Sequence, residues 1–248
     1  MKPQIYLPIL RKKKLKITSP EDSVNYYETM THLDHEIKRL KANMLKMLLN
    51  VESQVEKTKK ALVEFDKDLA TEIREVEKRI NAIELQIDSD CENILALYSP
   101  VAIDLRFVLS IYKMNSDLER LADNVDAIAS YILKQDKEFS KEIISQIKIV
   151  EMFDVCLKML ESIIEAYENE DTALARKVYA MDQKLNQYDD EAVGVLTPHF
   201  HDEPENLKKH LYILSAVRKL ERNGDLIKNI AEELIFYVEA LVLKHKGK

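Results

Sequence analysis

The chain has 248 residues, a net charge of −7, three glycines, six prolines, two cysteines and no tryptophan, and a third of its residues are charged. That length supports one large domain or two of ordinary size, with enough buried surface to need no covalent staples. The acid excess excludes non-specific nucleic-acid binding as the main task. The shortage of breakers, set against abundant Ala, Leu, Glu, Lys and Ile, points to an all-α protein.

Cys91 and Cys156 fall on apolar stripes of different predicted helices and lack zinc-type spacing. They read as small buried hydrophobes of a reducing compartment. No apolar run approaches the roughly 18 residues that span a bilayer. The longest, Leu234 to Leu243, is interrupted by Glu239. The N-terminus lacks the layout of a signal peptide, so a cytoplasmic protein is expected.

Residues 1–25 carry Pro3, Pro8, Pro20 and the basic run Arg11 to Lys16, and read as an irregular, solvated arm. A first helix is predicted from about Tyr26 to Lys60, with Leu33, Ile37, Leu40, Met44, Leu48, Val51 and Val55 spaced at threes and fours. A second runs from Lys67 to Tyr98 on Leu69, Ile73, Ile80, Ile87 and Ile94. Pro100 suits the first turn of a third helix, with Ser99 as its N-cap, continuing to Leu133. Helices of about 30 residues are about 45 Å long. Their near-3.5 spacing predicts antiparallel coiled-coil packing.

The polar stretch 134–141 is the best domain boundary. Beyond it a fourth helix is predicted from Ser140 to Asn169, and a fifth from Thr172 to Leu196. Pro198 and the loop His199 to Pro204 follow, then a sixth helix from Glu205 to Leu243. Pro100 and Pro198 fall at matching joints. The layout is a three-helix unit written twice, in bundles 26–134 and 140–246.

One motif recurs in register. Leu118-Glu-Arg-Leu-Ala-Asp123 lies in the third helix, and Leu220-Glu-Arg-Asn-Gly-Asp225 in the sixth. Residues four apart share a helix face, so Glu119 with Asp123, and Glu221 with Asp225, set like charges side by side. Something must compensate: a metal, a basic partner or water. In the second copy Glu221, Asp225 and Glu232 lie within about 40° of one another round the helix, and Asn229 borders them. Three carboxylates and an amide oxygen form a hard-oxygen surface suited to Mg, Ca, Mn or Fe. In the first copy Glu119, Asp123 and Asp126 make a similar stripe. Ordinary surface ion pairs with Arg120 and Arg222 are the plainer reading of these acids.

These paired motifs, the duplicated layout and the stretch Leu95-Ala-Leu-Tyr-Ser-Pro-Val-Ala-Ile-Asp-Leu-Arg106 resemble the PhoU family of phosphate-signalling proteins. The resemblance covers about residues 31–244. The second copy matches the family's pattern with Glu221, Asp225, Asn229 and Glu232. The first departs, with Ala127 and Ser130 in place of the last two. In PhoU-like proteins acids of the preceding helix complete the shell. Their counterparts here are Glu77 with Asn81, and Asp182 with Asn186.

The resemblance implies two side-by-side three-helix bundles acting by binding. The chain would restrain a phosphate ABC transporter through its ATPase, together with a sensor histidine kinase, as a homodimer reaching the membrane through partners. The stripes would hold metal, with Fe, Zn, Mg, Mn and Ca as candidates, or engage basic surfaces. One alternative is a stand-alone regulator of a sodium–phosphate cotransporter; another is a metal-dependent helical enzyme. Against the enzyme, no His has Glu three residues before it, as di-iron bundles require, and no Gly-rich phosphate loop or nucleophile motif occurs. His199-x-His201 reads as part of a solvated loop.

Overall fold

The computed structural model describes residues 20–243, with side chains described from residue 32 onward except that of His201. Seven α-helices occur among these residues: α1 (Pro20–Glu64), α2 (Lys67–Tyr98), α3 (Ile103–Leu133), α4 (Lys141–Gln146), α5 (Ile149–Asn169), α6 (Thr172–Asp202) and α7 (Leu207–Glu239). A 3-10 turn, Pro204–Asn206, precedes α7. The described residues contain no strand, so the protein is all-α.

Seven-residue steps explain the packing. Ile73, Ile80, Ile87 and Ile94 line α2; Ile111, Leu118, Val125 and Ile132 line α3; Ile213, Leu220, Ile227 and Leu234 line α7, and all are buried. A seven-residue repeat keeps an apolar seam facing its neighbour along long helices. Helix α1 buries a wider face, with Leu40, Met44, Met47, Leu48, Val51 and Val55 all fully covered. It needs that width because it packs on α2, α3 and α5. Helices α1, α2 and α3 pack together, as do α5, α6 and α7, while α3 meets α7 and α1 meets α5.

Two hairpins share one turn chemistry. Phe65 (φ 53°) and Glu170 (φ 55°) are left-handed C-terminal residues. The next amide in each case, Asp66 or Asp171, bonds back to Ala61 or Ala166 at 3.0 Å, closing a Schellman-type end. The same aspartates then cap the following helix, Asp66 accepting from the Leu69 amide and Asp171 from Ala173 and Leu174. Two residues thus stop one helix and start the next.

Several expected boundaries differ. Helix α1 begins at Pro20, so residues 20–25 of the expected arm are helical; the basic run Arg11 to Lys16 lies outside the described residues. Ser99 is not an N-cap of α3. It closes α2 in the left-handed region, and α3 starts only after Ala102 (φ 52°). The fourth predicted helix is broken in two at Lys148 (φ 54°), where the side chain is held outward by Glu191 at 2.9 Å and lies over the Tyr188 ring. Pro198 does not end α6, which runs on to Asp202. Pro198 and Gly194, whose carbonyl loses its partner, are both on the exposed face. Water can serve that carbonyl, and the missing Cβ at Gly194 leaves open space. Helix α7 ends at Glu239, short of the expected Leu243.

Candidate functional site

The motif copies lie on α3 and α7, which pack against each other. The leucines Leu118, Leu121 and Leu220 anchor them in the core. Behind them, at the seam between α3 and α7, Asn124 Nδ2 donates to Asn223 Oδ1 at 2.8 Å, and Lys219 donates to Asn124 Oδ1 at 3.2 Å. Further along the seam Lys113 meets both oxygens of the buried Glu233 at 3.2 Å, and Tyr131 bonds Ser215 at 2.9 Å. The partner's number falls as the residue number rises, so α3 and α7 are antiparallel. The two copies therefore stand back to back, with acids facing α2 on one side and α6 on the other.

In the second half the acids close round a lysine. Lys228 donates to Asp182 Oδ2 at 2.8 Å and to Asp225 Oδ1 at 2.6 Å. Asp182 is buried, at 5% side-chain exposure, whereas Asp225 is half exposed at 51%. Burial works against the Lys228 ammonium, but the bonds to the two aspartates outweigh it and lift its pKa. The Glu221 carboxyl is raised by burial first, then by Asp225, Asp189 and Asp182, with Lys228 opposing. Glu232 lies near Tyr179 of α6, whose phenol is pushed up to about 12 by burial and then by that carboxylate. Asn229 is half-buried on the same helix. At Gly224 the two helices approach so closely that a Cβ would collide with Leu185 and come within 2.9 Å of Asp182 Oδ1.

In the first half no lysine or arginine among the described residues bridges two of the stripe acids as Lys228 does. Glu119 is raised by burial, then by Asp123, Glu84 and Glu77, with Arg120 opposing. Glu84 is raised by burial, then by Asp88 and Asp123. Asn81 donates to Glu77, while its own carbonyl oxygen is buried without a partner among the described residues. Asp126 is engaged by Arg74 Nε at 3.2 Å.

The acids named from the sequence are thus distributed over two grooves. Glu77 joins Glu119 and Asp123 in one; Asp182 joins Glu221 and Asp225 in the other. Asp126 and Glu232 sit at the groove ends, on Arg74 and beside Tyr179. Two members were missed. Asp189, not the exposed Asn186, faces Glu221, and Glu84 faces Glu119. Both lie seven residues from the anticipated acid, Asp182 or Glu77, so the heptad step already seen in the core could have found them. No three stripe acids among the described residues bring ligand atoms within 4.8 Å of one another. The cysteines are buried and free; burial, followed by Asp88, pushes the Cys91 thiol up to about 12. No described helix is long and apolar enough to cross a membrane.

The PhoU domain family model matches residues 44–132 and again 149–234, one match on each side of the α3–α4 connection. The phosphate-specific transport system accessory protein PhoU homolog of Pseudomonas putida is 31% identical over 225 residues, covering 89% of this chain and 88% of that protein. The PhoU protein of Escherichia coli K12 is 27% identical over 227 residues, covering 91% and 93%. Among solved structures, PhoU from Pseudomonas aeruginosa superimposes with a TM-score of 0.78 at 31% identity, covering 84% of this chain and 99% of that one. The phosphate transport system regulatory protein PhoU from Streptococcus pneumoniae gives a TM-score of 0.76 at 27% identity, with 85% and 99% covered. With both halves matched and the helical architecture shared, the chain belongs to the PhoU family.

Proposed function

We propose that this chain regulates phosphate uptake by binding proteins rather than by turning over a substrate. Its relatives are accessory and regulatory proteins of phosphate transport systems, and this chain resembles them over nearly their whole length. The observation that carries the reading is the back-to-back placement of the two motif copies. Asn124 and Asn223 join them at the seam, and the acids flanking it, apart from the buried Asp182, are partly exposed to partners. The partners are a phosphate transporter, through its ATPase, and a sensor histidine kinase.

The first groove has the better donor set for a multivalent metal ion. Glu77, Glu84, Glu119 and Asp123 supply hard oxygens, and the raised Glu119 marks repulsion that a cation would relieve. Such an ion would supply positive charge and fix the carboxylates. In the second groove Lys228 already serves that purpose. Homodimerisation belongs to the same reading, supported by Leu97, Ile103, Leu109 and Tyr112, which are exposed on the α2–α3 side.

Co-purification from phosphate-replete cells tests the proposal. It should recover the ATPase of a phosphate transporter or a sensor histidine kinase. Recovery of neither overturns the reading, and recovery of a sodium–phosphate cotransporter reassigns it to that transporter class. Glu119→Gln combined with Asp123→Asn should weaken Mn²⁺ binding about tenfold or more; unchanged binding removes the metal from the first groove.

A further inference from the structure

At the elbow where α6 turns into α7, outside both acid rows, three ligand-type side chains converge. His199 Nδ1 lies 3.1 Å from Glu203 Oε1, and His210 Nε2 lies 3.8 Å from Glu203 Oε2. One ligand atom from each of His199, Glu203 and His210 can be chosen so that all lie within 4.8 Å of one another. No other group of three His, Cys, Asp or Glu among the described residues does this.

We propose that His199, Glu203 and His210 form a binding site for one divalent transition-metal ion of the Zn²⁺ class. The donor set carries the identity. Two imidazoles and one carboxylate suit Zn²⁺ and its neighbours, whereas Mg²⁺ and Ca²⁺ need six or more oxygens. Tetrahedral zinc with bonds near 2.1 Å sets its ligand atoms about 3.4 Å apart, inside the 4.8 Å limit within which one ligand atom from each of the three side chains falls. Three protein ligands leave a position for water, and His199 and Glu203 provide the open side, at 27% and 38% exposure.

The surroundings hold the ligands in binding form. Asn206 Nδ2 donates to Glu203 Oε2 at 2.8 Å and orients the carboxylate. A metal would displace the proton that His199 Nδ1 shares with Glu203 Oε1. His210 is 2% exposed, and its Nδ1 has no hydrogen-bond partner among the described residues. The ring is fixed by packing between His199 and Phe200. A bound ion would clamp the last turn of α6 to the first of α7, across the 3-10 turn.

The test uses the full chain without a histidine tag, stripped with chelator and titrated with Zn²⁺, then with Co²⁺ to report tetrahedral coordination by its visible absorption. One ion per chain is expected, with a rise in melting temperature. His199→Gln and Glu203→Gln, both on partly exposed positions, should each weaken binding about 100-fold or more and abolish the melting shift. Glu119→Gln with Asp123→Asn should leave it intact, which separates this site from the acid groove. Absence of a saturable site, or Zn²⁺ affinity unchanged by His199→Gln and Glu203→Gln, overturns the proposal.

Discussion

The two halves carry one motif but have resolved its charge differently. In α7 the residue one turn after Asp225 is Lys228, which bridges Asp182 and Asp225. At the equivalent place in α3 stands Asp126, which turns to Arg74. One residue therefore decides whether a groove is internally neutralised or left electronegative. A second contrast accompanies it. Gly224 lets α7 approach α6 closely, whereas its counterpart Ala122 carries a Cβ within the core. The repeated Glu-x-x-x-Asp spacing is thus no guarantee of a repeated site; the next turn of helix and the facing helix set the chemistry.

The largest effect should come from removing the lysine. Lys228→Met leaves Asp182 buried with neither its ammonium nor water to serve it. Charge-assisted hydrogen bonds contribute roughly 1.5–3 kcal/mol, so urea denaturation at neutral pH should show a loss of that order. Because the Lys228 pKa is raised on folding, its contribution is complete below its ordinary value of 10.5 and declines only as pH climbs beyond it. The same variant should gain Mn²⁺ affinity in the second groove, making it resemble the first. A variant as stable as the parent at neutral pH would show that the bridge is incidental.

Next is the helix approach. Gly224→Val places atoms against Leu185 and Asp182, and overpacking costs roughly 1–3 kcal/mol. The reciprocal Ala122→Gly should cost about 1 kcal/mol from helix propensity. A Gly224→Val variant as stable as the parent would mean that α6 and α7 do not depend on the close approach, against the contrast drawn above.

Much of this architecture was legible because it rests on periodicity. Ile73, Ile80, Ile87 and Ile94 declare a helix and its buried side without any tertiary information. Boundaries were less legible where the chain broke a local rule. Pro198 normally ends a helix, yet continues here because the orphaned carbonyl faces solvent. Lys148 interrupts a strong helical pattern with no glycine or proline to announce it. The cluster of His199, Glu203 and His210 was hidden by the first of these errors. Only if the helix runs through Pro198 do His199 and Glu203 fall one turn apart, and only the following 3-10 turn brings His210 back to them. Within the grooves the acids of α3 and α7 were readable from one helix alone. Their partners depended on the antiparallel register, which placed Asp189 rather than Asn186 opposite Glu221.

The smallest effect is also the most direct probe of the unneutralised groove. Glu119 has its pKa raised by burial and then by Asp123, Glu84 and Glu77. A carboxylate raised on folding favours the folded state while protonated, and loses that contribution as pH rises through the folded value. At neutral pH the ionised Glu119 is therefore a liability in the metal-free protein. Glu119→Gln should stabilise it by roughly 0.2–0.5 kcal/mol, the scale of a like-charge pair one turn apart. The gain should be present at neutral pH, fade as pH falls through the raised folded value, and be gone below the ordinary carboxylate value of 4.5. Glu221→Gln in the second half should gain less, because Lys228 already opposes the repulsion there. Melting curves of both variants across that pH range compare the grooves under one measurement. Equal gains from the two substitutions would mean that Lys228 does not set the halves apart.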